Sequence, residues 1–98
     1  MPIDDEVRLA VEEIVDEILK DPKRYLDLCS SDLMEVGIQP SLETVLAFIA
    51  GMLHGIANGI YAKKHNRIMT DEEFDELFDL LGRRAWELRQ EFVKVFHR

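Results

Sequence analysis

From Thr44 to Ala62 the chain runs for nineteen residues without a charged side chain. In a sequence of 98 residues with 33% charged residues, that stretch constrains the fold more than any other feature. So much uncharged surface has to be covered by the chain's own core, by a partner or by lipid. Its length comes close to the roughly 20 residues that cross a bilayer. However, it contains Thr44, His54, Asn58 and three glycines, all poor inserters. The expectation is therefore a buried helix with no membrane partner. Ser41 is a good N-cap, and Glu43 suits the positive end of the helix dipole. Pro40 disfavours helix at Gln39. The helix should reach about His65, where Asn66 can adopt a left-handed stop. At 1.5 Å per residue its length is roughly 35 Å.

This helix has two unlike faces. Gly51, Gly55 and Gly59 recur every fourth residue, and Ala47 and Ala62 extend the row. His54 and Asn58 lie within it. The opposite face, with Val45, Phe48, Ile49, Met52, Ile56 and Ile60, is bulky and is expected to pack as core. The small face lets a second backbone approach closely, a steric argument best attested in membranes but valid in water. Because neither face is charged, both are expected to be covered. One short chain has few helices for that task. The expected solution is a homodimer in which two copies of this helix cross at a two-fold axis. Contact with the first or fourth helix of the same chain is the alternative. His54 and Asn58 share a face one turn apart and are expected to be hydrogen-bonded structural residues that fix register, rather than ligand-binding ones. A metal would need further ligands, and His65 and His97 could join only if the fold brought them near.

Three further helices flank this one. The first is expected from Asp5 to Lys20, capped by Asp4, with Val7, Val11, Ile14, Val15 and Ile18 on one apolar face. The second opens at Asp21-Pro22, with Asp as cap and Pro in the first helical position. It is expected to end near Ser30, after which Ser31 caps a short helical turn through Leu33 and Met34 that Gly37 stops. The fourth opens with a capping box, Thr70 and Glu73, beside a hydrophobic staple of Met69 and Phe74. It should run to Phe96 or His97. Phe74, Phe78, Leu81, Ala85, Leu88, Phe92 and Val95 make a seam expected to pack within the bundle, with a coiled coil to another chain as the alternative. Gly82 interrupts this helix at a cost of about 1 kcal/mol relative to Ala, which suggests a close contact or a mild bend. The fold expected is an all-α bundle of four main helices plus a short helical turn, in one domain spanning 1–98.

Charge narrows the function. The net charge is −8, with twelve acids against four bases in residues 1–60 and eight of each in residues 61–98. Phosphate backbones repel such a chain, so nucleic acid is not an expected partner. The basic end, with Arg83, Arg84, Arg89, Lys94 and Arg98, leaves a nucleic-acid accessory role as the weakest alternative. It is expected instead to face the acidic first helix. Cys29 is alone, which excludes an internal disulfide and suits a reducing cytoplasm. Asp27 and Asp32 flank it, a poor setting for a nucleophile. The N-terminus, Met1 to Glu6, does not resemble a signal peptide.

An enzyme alternative rests on acids. Glu73 and Glu76 share a helix face, and Glu13 and Asp16 have the same spacing on the first helix. Carboxylate pairs on facing helices can hold metals for hydrolysis. But no Glu-x-x-His occurs, and acids at a helix start are favoured by the dipole in any case. No cofactor is expected. Trp86, between Arg83 and Arg89, is either an interface anchor or a ring folded under stacked arginines. The expected function is a non-enzymatic protein–protein interaction module acting as a homodimer, with a further protein partner as an option. Its interface is expected to include Ala47, Gly51, His54, Gly55, Asn58, Gly59, Ala62 and Trp86.

Overall fold

A computed structural model of the protein describes residues 3–96 and is an all-α four-helix bundle. Helix α1 spans Asp5–Lys20, α2 Pro22–Glu35, α3 Leu42–His65 and α4 Asp71–Phe96. His97 lies outside the described residues. All six pairs of helices touch, with α1 and α2 in the slightest contact. The molecule measures 42 × 26 × 18 Å. Helices pack at 8–10 Å between axes, so a body this thin is about two helices deep. Each helix can therefore bury one side only.

Local signals explain most of the boundaries. Ser41 and Thr44 form a reciprocal capping box at the start of α3. At its end Asn66 takes φ 56°, the left-handed stop, and its N–H bonds back to Ala62. Thr70 and Glu73 cap α4 reciprocally: Thr70 N–H donates to Glu73 Oε1 at 2.7 Å, and Glu73 N–H donates to Thr70 Oγ1 at 3.3 Å. Asp21 accepts weakly from Arg24 N–H at 3.4 Å, with Pro22 opening α2. Two expectations are corrected. Asp4 makes no side-chain cap, because its carboxylate turns to His65 and Lys64. Helix α2 does not break at Ser30; it absorbs the expected short turn and runs on to Glu35 before Gly37 turns the chain at φ 80°. Serine costs a helix only a few tenths of a kcal/mol, which the burial of Leu26, Cys29 and Leu33 on one side of α2 outweighs.

The core joins all four helices. Val7, Val11, Val15 and Ile18 come from α1, and Leu77, Leu80, Leu81, Leu88 and Phe92 from α4. Helix α3 contributes Val45, Ile49, Leu53, Ala57 and Tyr61, a row at every fourth residue. That row is rotated from the expected one. Met52 is exposed, while Phe48, Ile56 and Ile60 are only half-buried. In α4 the seam residues Leu81, Leu88 and Phe92 are buried, but Phe78 turns outward with 54% of its surface exposed.

Candidate interaction face

The row Ala47, Gly51, Gly55, Gly59 and Ala62 lies on the solvent side of α3, diametrically opposite the core row. A Cβ built on any of the three glycines would meet no atom of the described residues within 4 Å. Neither α1 nor α4 covers this face, so the within-chain contact considered from sequence is not formed. Helix α3 is long and apolar enough to cross a membrane by length and composition, yet only 28% of its most apolar window is buried inside the bundle.

Helix α4 continues the face. Glu43, at the start of α3, bonds Arg89, near the end of α4. Further along, the ring of His54 stacks on Phe78 at 5.8 Å and tilts against Phe74 at 4.9 Å. The two contacts lie equally far apart along the two helices, so α3 and α4 run antiparallel in constant register between them. That register brings Ala47, Ala50 and Gly51 beside Leu81, Gly82 and Ala85. The outer sides of both helices then form one surface, with Gly51 and Gly55 on α3 and Phe78, Gly82 and Trp86 on α4. Trp86 is 63% exposed. Among the described residues, arginine cations sit over Tyr25 and Tyr61, not over Trp86. At the other edge, Leu33, Ile38, Thr44, Ala47 and Phe48 line a shallow groove that continues the surface onto the α2–α3 turn.

His54 and Asn58 do not act as a pair. The imidazole of His54 is half-buried under the two phenylalanine rings. Asn58 Oδ1 accepts from the backbone N–H of Met69 at 3.2 Å, fixing the α3–α4 turn to α3. The sequence carried no sign of that bond, because its donor is a backbone group.

The acids have other partners. Glu73 is buried and takes both Arg67 guanidinium nitrogens, at 2.7 and 3.1 Å. The guanidinium, helped by the Thr70 amide, holds its carboxyl well below the usual range, at about 2. Glu76 accepts from the backbone N–H of Ile3 at 2.7 Å. Asp16 and Glu12 both bind Arg84, so of the basic end of α4 Arg84 meets acidic α1, while Arg89 pairs with Glu43 of α3 and Lys94 with Glu91 of its own helix. Glu13 stays exposed on α1. No three His, Cys, Asp or Glu side chains gather at metal-binding geometry among the described residues. Cys29 is buried, and that burial raises its thiol pKa. His65 binds Asp4 and packs against Tyr61.

Compared with protein-family profiles, curated proteins and solved structures, the chain matches none.

Proposed function

We propose that the protein is a helical interaction module that works as a homodimer in the cytoplasm, meeting its copy through the outer face of α3 and α4. The observation that carries this reading is the bare glycine row. A helix of 24 residues, uncharged from Thr44 to Ala62, turns its smallest side chains to solvent, beside two exposed aromatic rings. Glycine costs a helix interior about 1 kcal/mol relative to alanine, and three at regular spacing call for a close neighbour that the described residues do not supply. A surface with no charge at its centre and aromatic anchors at its edge has the make-up of a protein interface.

The test is the solution mass. Light scattering on the native protein is expected to give about twice the 11.4 kDa chain mass. Gly55→Leu, which places a bulky side chain in the middle of the row, is expected to yield folded monomer. A dimer unaffected by Gly55→Leu would put the interface elsewhere. A native mass of one chain would remove the reading.

A membrane-surface role is the second reading, favoured by the hydropathy of α3 together with its low burial. Flotation with neutral lipid vesicles separates the two, since a dimer that hides α3 does not float.

A further inference from the structure

The outer stripe of α4 has the same layout from both ends. Phe78 and Trp86 stand four residues on either side of Gly82, and Asp75 and Arg89 stand seven residues on either side. At 100° per residue these five positions fall within an arc of roughly 80°, one continuous line along the helix. Asp75, Phe78, Gly82 and Trp86 are exposed, and Arg89 is half-exposed. The members of each pair are complementary: ring with ring, acid with base.

We infer that two copies pair α4 against α4, antiparallel, about a two-fold axis through Gly82. This rests on the homodimer reading and fixes its geometry. The pairing sets Phe78 against the partner's Trp86 and Asp75 against the partner's Arg89, each contact made twice. Gly82 meets itself at the axis, where the missing Cβ lets the backbones approach.

Three observations support it. Nothing among the described residues accounts for Gly82, since a Cβ there would meet open space and the helix is weakened by its presence. Charge follows the same symmetry. On the stripe, exposed Asp75 lies toward the start of α4 and half-exposed Arg89 toward its end, so an antiparallel pair sets acid against base. For two chains of net charge −8 that is an arrangement that attracts locally. The only ion pair described for Arg89 is the solvent-exposed one with Glu43, a contact of little cost to share. Finally, the area suffices. Two neighbouring helices, each roughly 36 Å long and together about 20 Å wide, offer a footprint on the order of 700 Å². A standard interface takes about 600–1,000 Å² per partner, a range that includes this footprint. Helix α4 supplies the axis and the anchors, and the low glycine row of α3 beside it admits the flank of the second copy.

Cysteine cross-linking tests the axis directly. Gly82→Cys and Gly55→Cys would each be made in a Cys29→Ser background, checked for helicity and mass, and oxidised mildly. A residue on a two-fold axis lies within disulfide reach of its copy, whereas one on the neighbouring helix does not. Gly82→Cys is expected to give a covalent dimer and Gly55→Cys none. Cross-linking at Gly55→Cys alone, or at neither site in a protein that is dimeric by mass, overturns the α4 axis and leaves the homodimer standing. A monomeric native mass overturns both. A charge swap provides a second check. Asp75→Lys should weaken association by about tenfold, and adding Arg89→Glu should recover most of that loss. Failure of the double variant to recover also overturns the pairing.

Discussion

Glu73 shows what a single carboxylate can hold in place. It closes the capping box of α4, binds Arg67 through both oxygens and sits almost out of water, with 8% of its side chain exposed. Its folded pKa of about 2 lies below the ordinary 4.5, so its contribution to stability is complete above pH 4.5 and fades as pH falls toward 2. One pKa unit is worth about 1.4 kcal/mol, and the solvent around Arg67 reduces the total to on the order of 2 kcal/mol. Glu73→Gln is therefore expected to destabilise the protein by about that much at pH 7. Denaturation of both forms at a series of pH values should show the gap closing between pH 4.5 and 2; a gap independent of pH would place the stabilisation elsewhere. The capping box was legible in the sequence because Thr70 and Glu73 are three apart at a helix start. The same glutamate also looked available for a metal, because Arg67 lies before the helix and no helical spacing rule links the two.

Helix α3 was legible in extent but not in orientation. Its start, its end and its lack of charge follow from Ser41, Asn66 and the run between them. Which side turns inward does not, because apolar residues encircle the helix and leave little amphipathic contrast. The bulky candidates Met52 and Ile56 lost to Leu53, Ala57 and Tyr61, whose hydroxyl accepts the Asp4 backbone N–H at 2.7 Å and ties the start of the chain to α3. Leu53 is 1% exposed, so Leu53→Ala should cost about 3 kcal/mol in urea denaturation. The glycine row predicts a different response. Gly51→Ala meets no atom of the described residues, so under dilute, monomeric conditions it should stabilise by about 0.5–1 kcal/mol. At concentrations where the protein associates, that gain should vanish or reverse. A gain equal at both concentrations would mean that nothing packs on Gly51.

The molecule as a whole is too thin to enclose a helix, and this is why α3, uncharged from Thr44 to Ala62, stays half bare. The sequence led to an expectation of cover on both faces and could not show that one of them would remain open, because layer depth is a property of the assembled bundle. Trp86 is the only tryptophan, so its fluorescence reports on this surface alone. Emission should shift to the blue as concentration rises through the association range and return on dilution, while Trp86→Ala should raise the dissociation constant by more than tenfold, an anchor-sized loss. A spectrum unchanged across that range would exclude Trp86 from any contact. One more whole-molecule property follows from Arg84. Its guanidinium reaches Glu12 and Asp16 on α1 and, without hydrogen-bond alignment at Nε, Glu87 on its own helix, all within 2.7 Å and with 17% of its side chain exposed. Water's hold on charged groups weakens with heat, while apolar burial stops gaining strength. The clasp between the first and last helices therefore bears a growing share of the load as the solution warms, and the bundle carries its own provision against heat at its most charged seam.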